Sequence, residues 1–211
     1  MSIADLRRDY MGEPLSEGHA AADPWAQFAR WFEQVRGIET DPTAMSLATC
    51  TPDGRPSVRT VLLKGVDERG FVFYTNYESR KARELDGTGR AGLLFFWPSL
   101  ERQVRIDGAV ERVSGSESDA YFASRPLESR LSVYASRQSE PVESREALEV
   151  AFERAKRTYA DLVVPRPIWW GGYRVLPDEF EFWQGRPSRL HDRLRYIRQP
   201  DASWRRERLA P

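Results

Sequence analysis

The chain has 211 residues, which is long enough for one domain with a sizeable core. Lysine plus arginine equals aspartate plus glutamate at 32 each, so no overall charge attracts nucleic acid or an anionic membrane. One cysteine and two histidines exclude an internal disulfide and a clustered Cys/His metal site within a single chain, so we expect no metal.

The N-terminal segment is polar and lacks the apolar stretch of a signal peptide. No window approaches the roughly eighteen apolar residues of a membrane span. We therefore expect a cytoplasmic protein with neither a membrane nor a nucleic-acid partner. Residues 1–22, which contain Gly12, Pro14 and Gly18, predict a flexible N-terminal arm, and residues 23–211 predict a single domain.

The first predicted elements are a helix and a hairpin. Asp23-Pro24 is a helix-start signal, and apolar residues from Trp25 to Val35 follow at helical spacing. Residues 45–51 and 57–64 flank Pro52-Asp53-Gly54, which predicts two antiparallel strands. A turn at 65–70, a strand at 71–75 and a short helix at 76–84 capped by Asn76 come next.

The remaining segments extend the same pattern. Residues 91–97 are apolar on both faces and predict a buried strand, and 102–113 predict another, with Gly108 at a bulge or close approach. Further helices are expected at 116–124 and 143–159, and further strands at 169–176, 179–184, 193–198 and 204–209. Short turns between so many strands favour an antiparallel barrel, mostly β with peripheral α-helices.

The stretch Glu181–Arg193, EFWQGRPSRLHDR, concentrates aromatic and cationic side chains. Arg189, His191 and Arg193 recur at every second position, so they would point the same way if the chain is extended. Guanidiniums beside an imidazole suit an anionic ligand, although a solvated basic edge strand remains an alternative. From residue 186 to 208, eight arginines stand against three acids, an excess that could bind a polyanion or a small phosphate.

Two earlier stretches also carry polar chemistry. Arg59 and Lys64 are five residues apart, so a regular strand places them on opposite faces, and a strand end or bulge is needed to bring both to one ligand. Tyr74-Thr75 is followed by Ser79-Arg80-Lys81 at a predicted helix start, where free backbone N–H groups and cations form a phosphate cradle. An exposed, charged helix is the alternative.

Amides and hydroxyls complete the candidate site. Hydrogen bonds to the edge of a heteroaromatic ring, or to nearby backbone groups, could come from Gln103, Gln138 and Ser139. Tyr121, Arg125 and Ser129 are spaced by four, but Pro126 interrupts the helix between them. These residues contain no Ser/His/Asp relay, paired-carboxylate site or metal site. The inventory therefore suits a bound redox cofactor that carries the chemistry while the protein positions it.

Taken in order, these motifs resemble the pyridoxine (pyridoxamine) 5′-phosphate oxidases from about residue 6 to residue 211. The resemblance implies an FMN-binding split β-barrel and a homodimer with FMN at its interface. The resemblance rests on the motifs RTVLLK at 59–64, FYTN at 73–76, SRKA at 79–82, LERQVR at 100–105, YFASRP at 121–126, SRQS at 136–139, WWGGYRV at 169–175, EFWQG at 181–185, RLHDR at 189–193 and the terminal RLAP.

The resemblance also implies a role for individual residues. Arg189 and His191 would flank the pyridine ring as the catalytic pair. The cofactor would contact Arg59, Thr60, Val61, Leu62, Leu63, Lys64, Tyr74, Thr75, Arg80, Lys81, Gln103, Gln138, Ser139, Trp183 and Arg193. The substrate would contact Arg7, Arg8, Asp9 and Tyr10 of the arm, which can fold over it as a lid, together with Lys64, Tyr121, Arg125, Ser129, Arg189 and His191.

The implied reaction converts pyridoxamine 5′-phosphate and pyridoxine 5′-phosphate to pyridoxal 5′-phosphate. A hydride passes to the flavin, and O2 reoxidises it to give H2O2, so no strong protein base is needed. Where many relatives carry Gly-Ala-Trp, this chain has Ser132-Val133-Tyr134, which predicts altered affinity rather than lost function. Two alternatives stand beside this reading: a flavin oxidase of another pathway, such as the phenazine type, and a non-enzymatic carrier of flavin or pyridoxal phosphate.

Overall fold

The computed structural model describes residues 2–6 and 9–211. Within these residues one antiparallel sheet has nine strands, and the helices lie around it. The helices are α1 (Pro24–Val35), α2 (Arg80–Thr88), α3 (Gly115–Ser124), α4 (Leu127–Ala135) and α5 (Arg145–Thr158). The strands are β1 (Ala44–Cys50), β2 (Pro56–Leu62), β3 (Gly65–Asp67), β4 (Gly70–Asn76), β5 (Arg90–Trp97), β6 (Arg102–Arg112), β7 (Trp170–Gln184), β8 (Asp192–Arg198) and β9 (Trp204–Arg208).

The long strand β7 divides the sheet. The strand order is β2-β1-β5-β6-β7-β4-β3, with β6 paired along one edge of β7. The other edge is shared, because β4 pairs with its first half and β8 with its second half, and β9 pairs with β8. The sheet thus splits into two branches beyond β7, and the predicted mostly-β antiparallel architecture is confirmed.

Two separate strands were predicted at 169–176 and 179–184, and this break is wrong. A register shift between Asp107 and Gly108 of β6, opposite Pro177 and Glu179, lets β7 continue through the proline. Proline has no N–H to donate, and a bulge is where a sheet tolerates it. A Cβ on Gly108 would collide with the Leu176 carbonyl, so the predicted close approach at this glycine is confirmed.

The chain crosses from one edge of the curled sheet to the other just after β2. The Leu63 N–H donates to the Thr43 carbonyl at 2.9 Å, beside β1, whereas the Lys64 N–H donates to the Val72 carbonyl of β4 at 2.8 Å. The predicted strand 57–64 therefore ends at Leu62, and the predicted turn 65–70 contains β3. Because the regular strand ends at Leu62, Lys64 does not follow the alternation of side-chain faces that would place it opposite Arg59.

Helix starts follow local capping chemistry. The Asp23 side chain accepts from the Trp25 N–H at 3.3 Å, which confirms the predicted start of α1. The predicted Asn76 cap of α2 is wrong, since Ser79 caps that helix by accepting from the Ala82 N–H. Asn76 instead accepts from the Glu78 N–H at 2.6 Å in the preceding turn. Either residue type caps a helix, and the strand end of β4 delays the helix by one turn.

The main core lies between α1 and the sheet. Phe28, Trp31 and Val35 of α1 are buried, and the Trp31 ring meets Phe182 of β7 edge-on at 5.3 Å. Each such side chain contributes roughly 1.5–3 kcal/mol on burial. A smaller cluster beneath α3, α4 and α5 contains Phe122, Leu131, Ala155, Val164 and Trp170.

Strand β5 was predicted to be buried on both faces, and this is wrong for the single chain. Leu93, Phe95 and Trp97 are buried, but Phe96 on the opposite face is 55% exposed. The sheet therefore leaves an apolar outer face at β5. No helix in the described part of the chain has the length and apolar character needed to cross a membrane.

The second half of the N-terminal segment packs against the domain. The N–H groups of Met11 and Gly12 donate to the Glu101 carboxylate at 2.7 and 2.9 Å, and Leu15 is buried. Arg206 of β9 donates to backbone carbonyls of this segment, including that of Ala20 at 3.0 Å. The predicted flexibility of residues 1–22 remains a prediction.

Candidate active site

A cavity of about 550 Å³ opens where β2, β4, α3 and α4 meet the start of α2. Most residues of the predicted segment 59–64 line this cavity. Leu63 is the exception within 59–64, because its side chain is buried in the main core. The lining residues are Arg59, Thr60, Val61, Leu62, Lys64, Tyr74, Thr75, Asn76, Lys81, Tyr121, Arg125, Ser132, Val133, Ser136, Gln138 and Trp170.

The residues of the predicted phosphate cradle meet at the N-terminus of α2. Lys81 Nζ donates to Gln138 Oε1 at 2.8 Å and to Thr75 Oγ1 at 3.2 Å. The Arg80 N–H donates to Ser139 Oγ at 3.1 Å. Burial, with the nearby Arg59 charge, lowers the pKa of Lys81 to about 8. The cradle therefore combines a buried ammonium, hydroxyls and a helix N-terminus, which together suit a phosphate group.

Three stacked rings form one wall of the cavity. Tyr74 and Tyr121 stack at 3.9 Å, and Trp170 lies nearly parallel to both. A Cβ on Gly172 would meet the Tyr74 ring at 2.8 Å, so the glycine lets this ring lie flat on β7. Trp170 was not among the predicted site residues. Its position at the start of the WGGYRV segment was the available signal.

Arg125 carries an unsatisfied donor at this wall. Its guanidinium lies 4.8 Å from the centre of the Trp170 ring, and among the described residues its buried Nη1 has no hydrogen-bond partner. Such a buried, unpaired donor costs about 1–3 kcal/mol, or more when charged. Burial raises the pKa of Tyr121, so its hydroxyl stays protonated at neutral pH. Ser129, at the start of α4, lies outside the cavity lining.

A second cluster forms at the far end of β7. The rings of Trp183 and His191 lie 4.7 Å apart, and Tyr10 meets both edge-on at 5.7 and 5.2 Å. Gln103 and Arg193 flank Trp183 as its cross-strand partners in β6 and β8. Arg193 donates to Glu181 at 2.7 Å.

The loop before β8 orients His191 and Arg189. The Arg186 N–H donates to His191 Nδ1 at 3.1 Å, which assigns the neutral tautomer with its proton on Nε2. The alternation predicted for Arg189, His191 and Arg193 is wrong. Ser188 and Arg189 adopt left-handed φ values of 57° and 61° in a 3-10 turn, so the chain is not extended there.

Arg189 and Asp9 are exposed, and within the described residues the Arg189 side chain makes no hydrogen bond or ion pair. Arg7 and Arg8, which the resemblance assigns to the substrate, lie outside the described residues. Several arginines of the C-terminal stretch form ion pairs with acidic residues of the same chain. Arg208, for example, pairs with Glu17 at 2.8 Å and Asp192 at 2.7 Å.

The two clusters lie far apart in one chain. Trp170 lines the cavity, and Trp183 of the second cluster lies thirteen residues farther along the same strand. At about 3.3 Å per residue, the strand between them has a contour length of about 40 Å, which is an upper limit on the distance between its ends. None of the residues of the second cluster, Tyr10, Gln103, Trp183, His191 and Arg193, lines the cavity. The predicted cofactor residues therefore form two groups rather than one.

Comparison with known proteins gives matches along nearly the whole chain. The family model described as pyridoxamine 5′-phosphate oxidase matches residues 32–159, and the one described as the pyridoxine 5′-phosphate oxidase C-terminal dimerisation region matches 170–211. Pyridoxine/pyridoxamine 5′-phosphate oxidase of Rubrobacter xylanophilus is 58% identical, over 99% of this chain and 96% of the relative. The protein of that name from Trichormus variabilis is 56% identical over 100% of this chain and 99% of the relative.

Solved structures confirm the split-barrel fold. The crystal structure of PhzG from Burkholderia lata, in complex with tetrahydrophenazine-1-carboxylic acid, has a TM-score of 0.88 at 33% identity and covers 95% of this chain and 99% of that chain. A pyridoxamine 5′-phosphate oxidase-related, FMN binding protein from Nostoc punctiforme has a TM-score of 0.73 at 20% identity, over 90% of this chain and 100% of that chain. The family models and the full-length relatives agree. The chain belongs to the pyridoxamine 5′-phosphate oxidase family.

Proposed function

We propose that the protein is an FMN-dependent oxidase that converts pyridoxamine 5′-phosphate and pyridoxine 5′-phosphate to pyridoxal 5′-phosphate. One observation carries the proposal: of the four cationic side chains that line a single cavity, one lies at a helix N-terminus and another at the aromatic wall. Lys81 lies at the α2 N-terminus, and Arg125 lies at the aromatic wall with a buried donor unpaired within the described residues. Two phosphate-bearing ligands would use both groups, one for each. The relatives' names supply the identity of the substrate.

The residues of the cavity fit FMN. Thr75, Lys81 and Gln138, with the N-terminus of α2, offer the donors and positive charge that its phosphate requires. An FMN binding protein among the structural neighbours supports this assignment. When bound, FMN would supply the redox chemistry, as acceptor of a hydride from the substrate and donor of electrons to O2, which becomes H2O2.

The substrate phosphate would be held by Lys64, Tyr121 and Arg125, which line the cavity, and by Ser129, which the family resemblance adds from outside the lining at the start of α4. Tyr121 contributes a protonated hydroxyl, because burial raises its pKa. His191 would present its Nε2–H to the substrate ring, since Nδ1 is occupied by the Arg186 amide. Arg189, exposed and unpaired within the described chain, is available for a second contact. These groups bind and orient the substrate, and none acts as a strong base.

A homodimer would join the two clusters. Because about 40 Å of β7 separates Trp183 from the cavity, a second chain would bring its own Trp183, Arg193 and Gln103 to the flavin. The family's dimerisation region matches residues 170–211 and contains Trp183, His191 and Arg193 of this cluster. The exposed Phe96 and Val58 give the sheet an apolar outer face suited to such an interface.

The N-terminal arm would close over the substrate. Tyr10 contacts Trp183 and His191, which supports a role for the arm at that cluster, and by the family resemblance Arg7, Arg8 and Asp9 would contact the substrate. A cytoplasmic location is part of the proposal, since the single cysteine is a free thiol and reducing compartments keep such thiols unpaired.

The visible spectrum of the purified protein tests the proposal. We expect flavin bands that bleach anaerobically when pyridoxamine 5′-phosphate is added, and that return with peroxide and aldehyde product when air is admitted. Bleaching by a reduced phenazine carboxylate but not by pyridoxamine 5′-phosphate would favour the phenazine-type alternative, which the PhzG neighbour keeps open. Bound flavin that neither compound bleaches would favour a carrier.

A further inference from the structure

One buried carboxylate connects two of the cationic residues beside the cavity. Glu84 lies on α2, one turn after Arg80, and its side chain is 3% exposed. Its Oε1 accepts from Arg80 Nε at 2.8 Å. Its Oε2 accepts from the hydroxyls of Thr49 and Ser57, each at 2.5 Å, and from Arg59 Nη2 at 3.2 Å. Four donors on three elements therefore converge on this group.

The two arginines are held in different ways. The Nη1 of Arg59 also donates to the Leu47 carbonyl at 3.2 Å and to the Thr49 hydroxyl, so its guanidinium is fixed against β1. Arg80 is 48% exposed, and within the described chain only its backbone N–H and its Nε are engaged. Its two Nη groups are therefore free to donate to a ligand. The bond from Nε to Glu84 fixes the orientation of the guanidinium.

The carboxylate is charged at neutral pH. Burial raises the pKa of Glu84, but hydrogen bonds from Ser57, Thr49, Arg80 and Arg59 outweigh it and bring the pKa to about 2. The negative charge lies among the positive charges of Arg59 and Arg80, which would otherwise repel each other and the adjacent Lys81. Loss of the carboxylate removes both the hydrogen bonds that orient the guanidiniums and the charge that lets them lie close together.

We propose that Glu84 is a positioning residue that holds Arg59 as a fixed positive charge and Arg80 with both of its Nη groups free, so that the two guanidiniums serve the cofactor phosphate. The inference rests on the proposed FMN function. Arg59 lines the cavity, whereas Glu84 and Arg80 do not, so Glu84 acts only through the two arginines. No sequence pattern pointed to it, because a glutamate four residues after an arginine on a helix is ordinarily an exposed ion pair.

The test compares FMN with riboflavin, which lacks the phosphate. Dissociation constants of both are measured by flavin fluorescence on the apoprotein of the full chain, for wild type, Glu84→Gln and Glu84→Ala. We expect Glu84→Ala to raise the FMN constant about tenfold or more, as for the loss of a charge-assisted contact, while the riboflavin constant changes less than about twofold. Glu84→Gln keeps one acceptor and the side-chain size, so its effect on FMN is smaller.

Asp86→Asn is the matched control. Asp86 lies on the same helix and also accepts from an arginine, Arg112 at 2.5 Å, and from the Tyr173 hydroxyl at 2.8 Å. It contacts neither Arg59 nor Arg80, so a general disturbance of α2 would appear in this variant too, and in riboflavin binding. We expect the ratio of the two constants to stay at its wild-type value.

Glu84 variants that retain the full wild-type preference for FMN over riboflavin would overturn the inference and leave the proposed function standing. A wild-type protein that binds FMN no more tightly than riboflavin would overturn the proposed function, and this inference with it. If Glu84→Ala does not fold, Glu84→Gln carries the test.

Discussion

Lys81 would couple the proposed cofactor site to pH. Burial and the neighbouring Arg59 lower its pKa to about 8, so the apoprotein loses this positive charge in the mildly alkaline range. We expect FMN affinity to fall as pH rises above 8, by up to about tenfold per unit, because a neutral amine no longer attracts phosphate. Titrations between pH 6.5 and 9.5 measure this, with Lys81→Met as the control that binds more weakly but without the added dependence. A flat wild-type profile would refute the assignment.

The lowered pKa of Lys81 makes folding stability depend on pH in the opposite direction, so that stability rises where FMN affinity falls. An unfolded lysine keeps its proton to about 10.5, whereas the folded one releases it near 8. The lowered pKa therefore costs folding free energy below pH 8. That cost is relieved as pH rises through the window between the two values.

Arg80 provides a second residue-scale test. We expect Arg80→Ala to weaken FMN binding by about 1.5–3 kcal/mol, because one charge-assisted phosphate contact is lost, and to leave riboflavin binding unchanged. The control is Arg83→Ala, on the exposed face of the same helix, where the guanidinium donates to the Glu78 carbonyl at 2.5 Å. Unchanged FMN affinity in Arg80→Ala would show that this guanidinium does not contact the phosphate.

Arg189 tests the separation of the two ligands. We expect Arg189→Ala to lower kcat/KM for pyridoxamine 5′-phosphate roughly ten- to a hundredfold, the loss of one charged contact, while flavin content stays at the wild-type level. Arg198→Ala, an exposed arginine at the end of β8, serves as the control. Loss of flavin from the Arg189 variant would assign this residue to the cofactor instead.

At the residue scale, side-chain chemistry made part of the site predictable. Thr75, Lys81 and Gln138 meet as expected, since a hydroxyl, a cation and an amide beside a helix start are recognisable phosphate donors. Trp170 was missed because its place in the aromatic wall depends on strand β7 lying beside β4. Glu84 was missed because the sequence indicates only an ion pair with Arg80 on the helix surface. In the fold its carboxylate is buried and also accepts from residues of β1 and β2.

At the element scale, apolar periodicity predicted most strands and the α1 helix within a few residues. Irregular features were not predictable in the same way. Whether Pro177 ends a strand depends on the register shift in the neighbouring β6, which local sequence does not contain. The left-handed backbone of Ser188 and Arg189 is equally hidden, because neither residue type requires it.

Gly108 tests the bulge that keeps β7 continuous. We expect Gly108→Ala to lower the free energy of unfolding by about 1–3 kcal/mol, because the new methyl group would press on the Leu176 carbonyl. Chemical denaturation measures the change. Gly18→Ala is the control, since a Cβ there meets nothing within 4 Å. Equal stability of the two variants would mean that the strands accommodate a side chain at the bulge.

At the scale of the whole molecule, the site residues divide into two groups at opposite ends of β7. The motifs indicated one site because they match one family, but the sequence does not say which chain supplies each motif. That property depends on how two copies pair, and it follows only from the length of β7 between Trp170 and Trp183. The central claim is that the cavity of one chain and the Trp183 cluster of another form one site.

Activity of a mixed dimer tests this claim most directly. Arg125→Ala, in the cavity, and Arg189→Ala, near the second cluster, are co-expressed with different tags, and the heterodimer is purified through both. One of its sites carries both substitutions and the other carries none. We expect the heterodimer to regain about half of the wild-type oxidase activity while each parent homodimer is strongly impaired. A heterodimer as inactive as its parents would contradict the account and place both groups in sites built from a single chain.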